Sequence, residues 1–350
     1  MRINKLKYLL VFTLPAATAF SFLNEGVWSW TAVIYAFGVL PLLDHFIKID
    51  RSNLNSQQEE SALSSKVYDF LLYTVVPVHL LMIGWFIYEA VQFTSLDNTA
   101  LGRIFSLGAM SSVTAINVAH EIGHRNGQLN KITAKVLLST VMYSHFYEEH
   151  NFGHHRNVAT HDDPATARRG EWVYLFFFRS VVMGLISALR IESKRLSRKG
   201  SSVMSLQNGV IVWQVIQMGV VIGLGLAFGW MVALCFGLYS LIAVFILEAI
   251  NYVEHYGLVR KKESEYRYEK VKPHHSWNAD NTIGRAVLFE LTRHSDHHEN
   301  PHKKFQVLRT PENVPELPTG YPGMVLLTLV PPLYFQVMKS ILDNWCKTFE

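Results

Sequence analysis

The chain has 350 residues, with 32 lysines and arginines against 28 aspartates and glutamates, for a net charge of +4. That balance excludes a nucleic-acid footprint and an acidic tail, and the two cysteines, Cys235 and Cys346, exclude a disulfide framework, a four-thiolate metal site and any CxxC redox motif. The hydrophobic content of 49% is gathered into blocks, and residues 200–247 hold no charged side chain, which excludes a soluble globular chain.

In chain order, the start MRINKLK followed by an apolar run to Ala17-Thr18-Ala19 has the outline of a secretory signal. The polytopic remainder favours an uncleaved first span over 8–24, with Arg2, Lys5 and Lys7 keeping the N-terminus in the cytoplasm. A turn at 24–26 leads into a second span, 27–47. The mixed-charge segment 48–66 is read as cytoplasmic, and spans three and four as 67–90 and 101–120, joined outside at 95–99. The fourth brings His120 back to the inner face. Residues 132–146 would make a helix of only ~22 Å, too short to cross. Residues 172–189 carry Arg179 and run into the basic stretch RIESKRLSRKG at 190–200, so this segment is expected along the interface, with Arg179 reaching to headgroups. Spans five and six are 206–228 and 230–250, a hairpin turning near Gly229. Residues 324–341 are broken by Pro331-Pro332 and read as a bent, docked helix. The expected fold is all-α: one domain over 1–350, six transmembrane helices, both termini inside, and cytoplasmic catalytic segments at 120–200 and 251–350.

Sixteen histidines are present, and nine fall in four clusters at the inner ends of spans or beside them. These are His120 and His124; His150, His154 and His155; His255; and His294, His297 and His298. Spacings of three and four stack side chains on one helix face, so such pairs can address one ion. Adjacent histidines diverge by about 100° and can serve two ions. Nine imidazoles divide economically between two metals, and a shell without thiolates suits iron, copper or zinc. An acid accompanies each cluster, Glu121, Glu149, Glu254 and Asp296, placed to offset charge and hold the far ring nitrogens. Such a pair of ions at a membrane edge points to O₂ chemistry on a lipid-dissolved substrate.

Other readings explain less. His120-Glu121-x-x-His124 matches the zinc-protease motif, yet leaves seven clustered histidines idle. Haem ligation favours single histidines facing each other inside spans. A plain metal carrier with a His-rich surface does not account for the acid kept in step with every cluster. His45, His145, His161, His274 and His302 read as surface or satisfied residues, and mid-span His79 as a hydrogen-bond partner of a neighbouring helix.

HEIGHR, EEHNFGHH, NYVEHYGL and LTRHSDHHENP, in this order and setting, resemble the four histidine boxes of the bacterial alkane 1-monooxygenase family, membrane-bound non-haem diiron hydroxylases. Pro41-Leu-Leu-Asp44, His275-Ser-Trp-Asn278 and Leu317-Pro-Thr-Gly-Tyr321 match as well, so the resemblance covers nearly the whole chain. It implies O₂-dependent terminal hydroxylation of n-alkanes, two iron ions held by the nine clustered histidines, electrons from rubredoxin with its reductase, and a place in the bacterial inner membrane. Xylene-type methyl hydroxylases and fatty-acyl desaturases or hydroxylases of the same diiron class are the neighbouring alternatives. Arg125 stands where the family commonly has Lys, and His161 near an expected Pro. His275 is expected behind the ligands or in packing, and an apolar passage between spans is expected to admit a linear chain end-on.

Overall fold

The computed structural model describes residues 5–265 and 267–349. Its helices are α1 (Lys5–Leu23), α2 (Gly26–Phe46), α3 (Ser56–Ser64), α4 (Lys66–Ala90), α5 (Asn98–Gly123), α6 (Gln128–Ser139) and α7 (146–157). There follow α8 (Val173–Ser197), α9 (Gly209–Phe228), α10 (Trp230–His255), α11 (Thr282–Val287), α12 (His294–Glu299), α13 (Tyr321–Thr328) and α14 (Pro331–Phe349). A small antiparallel hairpin, β1 (Lys262–Ser264) with β2 (Arg267–Tyr268), follows α10. The fold is all-α and polytopic, as the sequence reading expects.

Local chemistry sets the element ends. Asn55 and Gln58 form a reciprocal capping box at α3, Asp97 caps α5 and Asn208 caps α9. The α9–α10 hairpin turns at Gly229, whose φ of +97° suits glycine. Pro331-Pro332 does more than bend the last apolar stretch. It starts a separate helix, α14, after α13 has ended at Thr328.

Helix α5 is the centre of the bundle and the most buried of the long apolar helices. Its small residues allow close approach: a Cβ on Gly108 would lie 2.6 Å from Ile242 of α10. His79 of α4 bridges two neighbours, with Nδ1 2.9 Å from Thr114 Oγ1 and Nε2 2.8 Å from Thr140 Oγ1. That is the satisfied mid-span histidine the sequence predicts.

Seven helices have the length and composition of a membrane span, one more than the six expected, the seventh being α8. Both ends of α8, however, lie on the histidine side. Just before its start, the Glu171 carbonyl accepts from Tyr252 at the inner end of α10 and Gly170 N–H donates to Tyr256. Near its finish, Glu192 accepts from Gly209 N at the inner start of α9. Helix α8 therefore starts and ends on the same side of the bundle. One expectation is corrected: Arg179 does not reach out to headgroups. It pairs with Glu171 at 2.7 Å and donates to the carbonyls of Pro164 and Thr166, so its charge is met inside the protein.

The segments on the histidine side are tied to the long apolar helices by buried polar contacts. Asp44 at the end of α2 accepts from the N–H groups of Ile283 and Gly284, fixing α11. Glu290 accepts from Lys7 (2.5 Å), Tyr8 (2.8 Å) and Arg285 (2.6 Å), which joins α1 to the turn before α12. Phe289 and Glu290 hold φ of 50° and 58° there, a left-handed pair that other contacts must stabilise. Burial pushes the Glu290 carboxyl up, but Lys7, Arg285 and Arg293 outweigh it and hold it near about 2. A depressed carboxyl gives stability above its unfolded value, lost as pH falls through the folded one. Stability should therefore drop between about pH 4.5 and 2. Glu290→Gln, which leaves buried cations unpaired, is expected to cost about 3–5 kcal/mol at neutral pH and to flatten that acid limb, read by thermal melts in detergent across pH.

Candidate metal centre

The four clusters meet where α5 and α10 end. Helix α5 supplies His120 and, one residue past its end, His124; α7 supplies His150, His154 and His155; α10 ends on His255; and α12 carries His294, His297 and His298. Two groups result, His120, His124, His150, His155 and His297 in one, and His154, His255, His294 and His298 in the other. All nine rings turn Nε2 inward. In the five-membered group, Nε2 separations are 2.9 Å (His120–His297), 3.0 Å (His150–His155), 3.1 Å (His155–His297) and 3.2 Å (His124 to both His150 and His155). In the four-membered group they are 2.9 Å (His294–His298) and 3.2 Å (His154–His298 and His255–His294).

Hydrogen bonds among imidazoles cannot account for this. The Nε2 of His155 has three nitrogen neighbours within 3.2 Å and at most one proton to share. Two nitrogens bound ~2.1 Å from one ion and at right angles stand about 3.0 Å apart, which is the spacing seen. The tautomers agree. His154 Nδ1 lies 2.9 Å from Asp163 Oδ2, so its proton sits on Nδ1 and a lone pair points inward, while His294 Nδ1 is 3.2 Å from Glu254 without hydrogen-bond geometry. Burial, aided by like-charge neighbours, holds His150, His155, His294, His297 and His298 neutral, and takes His124 down to about 3. For His154 burial acts the same way, but Asp163 overrides it and raises the ring. The lowered rings are neutral donors, and a cation would displace the proton that Asp163 favours on His154, so the set is fit to hold two cations.

The π turn His150–His154 decides which ring goes where. In a regular α-helix residues five apart point about 140° from each other. Here the His155 N–H bonds to the His150 carbonyl, and that wider turn brings both rings to one group while His154 faces the other. The four-residue pairing of His150 with His154, a natural reading of their spacing, is thus not used, whereas His120/His124 and His294/His298 do share a group. Adjacent His154/His155 and His297/His298 split between the groups, as their divergence predicts.

Comparison with known proteins follows this geometry. The chain is 37% identical to alkane 1-monooxygenase 1 of Pseudomonas aeruginosa, an alignment covering 97% of this chain and 91% of the relative. The chain belongs to the alkane 1-monooxygenase family. A second alkane 1-monooxygenase, from Pseudomonas putida, is also 37% identical, over 91% of this chain and 79% of its own length. The fatty acid desaturase family model matches residues 98–325, and the hydroxylase component of a xylene/toluene monooxygenase from Pseudomonas putida is 29% identical over 98% of this chain and 90% of its own. This family setting matches the four-box reading and carries the chain away from the zinc-protease one.

The acids behind the rings are distributed differently from the expectation of one per cluster. Glu254 stands behind His294, as read. Glu121 instead accepts from Arg125 at 3.1–3.2 Å, and Asp296 accepts from Lys303, Asn300 and Arg309 N, bracing the loop after α12. Glu149 has a buried Oε1 without a hydrogen-bond partner, and burial with Asp163 nearby raises its carboxyl to about 8. The carboxylate that does hold a ring, Asp163, was missed. Its signal was Asp162-Asp163-Pro164 nine residues after His154, where Thr166 Oγ1 also donates to it at 2.5 Å. His275 is not beside the rings through its side chain. Its Nδ1 accepts from Lys272 N, which leaves the proton on Nε2, 3.4 Å from Glu269. That tautomer makes the Glu269–His274–His275 group a poor cation site despite its composition. The remaining histidines fit the surface or satisfied reading: His45, His161 and His302 are exposed, and His145 bonds to Gln214 at 3.2 Å.

An apolar hollow of about 50 Å³ lies between α1, α2, α5, α10, α11 and α13, lined by Phe37, Leu40, Val113, Ile250 and Tyr321 among others. Tyr321 faces Glu254, and Glu254 faces His294, so the hollow ends two side chains from the four-histidine group. Asp163→Asn is expected to weaken metal retention by ~10–100-fold, checked by chelator competition on the purified protein, with helix content unchanged.

Proposed function

We propose that this protein hydroxylates the terminal carbon of n-alkanes with O₂, using two iron ions held by His120, His124, His150, His155 and His297 and by His154, His255, His294 and His298. The observation that carries this reading is the convergence of nine Nε2 atoms into sets of five and four beside an apolar hollow. Iron, when bound, supplies the redox chemistry by which one oxygen atom enters the C–H bond and the other leaves as water, with two electrons and two protons consumed.

The chain's own groups do the positioning. Asp163 fixes the orientation of His154, and the apolar hollow marks where an extended chain from the bilayer would part the helices, with one end toward His294. Burial is worth ~0.8 kcal/mol per CH₂, which draws alkanes in but discriminates weakly between lengths. With Cys235 and Cys346 as the only cysteines, the chain has no iron–sulfur motif, so the electrons come from a separate carrier. Rubredoxin with its reductase is the donor we assign. The basic flanks support a histidine face, and both termini, on the cytoplasmic side of the inner membrane.

Purified protein is expected to hold about two irons per chain and, with rubredoxin, reductase and C₆–C₁₆ alkanes, to yield 1-alcohols. Zinc in place of iron, or alkenes and internal alcohols as products, would sink the reading. Preference for toluene would favour the methyl-hydroxylase alternative, for which the 29% identical relative speaks. Val113→Trp, filling the hollow, should cut alkane turnover by ~10–100-fold while iron content stays at the wild-type level.

A further inference from the structure

We infer that the end of α8 and the loop after it form a binding site for anionic phospholipid at the histidine-side surface of the membrane. Helix α8 presents Leu175, Phe178 and Val182 outward at spacings of three and four, an apolar stripe exposed on the outside of the bundle. Past this stripe the composition changes. Arg190, Lys194 and Arg198 follow at four-residue intervals on one face, with Lys199 beside them, and all four are exposed. Among the described residues none of these four has a carboxylate within ion-pair distance, whereas Arg195, between them, is paired with Glu192 at 2.7 Å.

The loop that follows is held in shape while exposing its apolar side chains. Arg195 also donates to the Gln207 carbonyl, Asn208 Nδ2 to the Val203 carbonyl at 2.9 Å, and Ser205 Oγ to the Ser202 carbonyl at 2.7 Å. From this braced turn Met204 projects 83% exposed and Leu206 93% exposed. Two apolar tips so open to water are unfavourable, and among the described residues nothing covers them. The turn joins α8 to α9, whose first residue lies against Lys135 and Glu192, so it sits where apolar layer meets water. Unpaired cations above and apolar tips below match a phospholipid with a negative headgroup and acyl chains. The inference does not depend on the reaction catalysed.

The test uses the full-length protein in nanodiscs of phosphatidylcholine and phosphatidylglycerol, with retained lipid counted by native mass spectrometry. The set R190Q, K194Q, R198Q and K199Q is expected to lower phosphatidylglycerol retention roughly fivefold or more, and K261Q, K262Q and K270Q on the β1–β2 segment to leave it unchanged. Equal loss from both sets, or none from the first, overturns the proposal. Leu206→Trp gives a second readout. Brominated acyl chains should quench its fluorescence, and an unquenched indole, as a protein partner on this surface would produce, overturns it too.

Discussion

Nine nitrogen lone pairs aimed at two points form an arrangement that repels itself until cations fill it, and the inner face is organised to hold them there. The rings come from parts of the chain as far apart as His120 and His298, so every contributing segment needs its own restraint. Helix α12, with only six residues, has the most. Ser295 N donates to Asn278 Oδ1 at 2.8 Å, Arg293 donates to the carbonyls of Leu308 and Ser52, and Glu290 ties the preceding turn to α1. Gly257, just after His255, works in the same way from the other side. Its φ of +71° and the Leu342 side chain, 2.5 Å from where a Cβ would sit, let the chain leave α10 sharply under α14. The motif residues around the ligands are thus largely the means of bringing the ligands together.

The two groups differ in surroundings. The five-histidine group includes His124 and His155, both partly exposed, and a polar surface hollow reaches His124 past Arg125, Lys303 and Lys304. The four-histidine group is buried throughout and lies toward the apolar hollow. One group thus lies nearer the surface and the other nearer the apolar interior, a separation that follows from which helices end where.

Much of this was legible in the sequence because its signals are local. Uncharged runs mark the long apolar helices, and Gly229 marks the hairpin. His79 reads correctly because an imidazole in mid-span must find a partner. What could not be read depends on contacts remote in sequence or on local winding. Arg179 looked like a lipid-facing charge because Glu171 and the carbonyls that hold it lie in a loop of no regular pattern. Asp163 was hidden for the same reason, while Glu121 and Asp296 stood beside histidines in the sequence yet serve Arg125 and Lys303 in space. Adjacency along a helix does not say which way a carboxylate points.

The winding of α7 carries a mechanical consequence. Because one short turn hands His150 and His155 to one group and His154 to the other, a single stiff strut grips both sides of the centre. Any change in the gap between the two ions must rewind that strut or pull a ring off its ion. The gap is in effect a fixed dimension of the protein, and gaining or losing one residue between His150 and His155 would scramble both halves together.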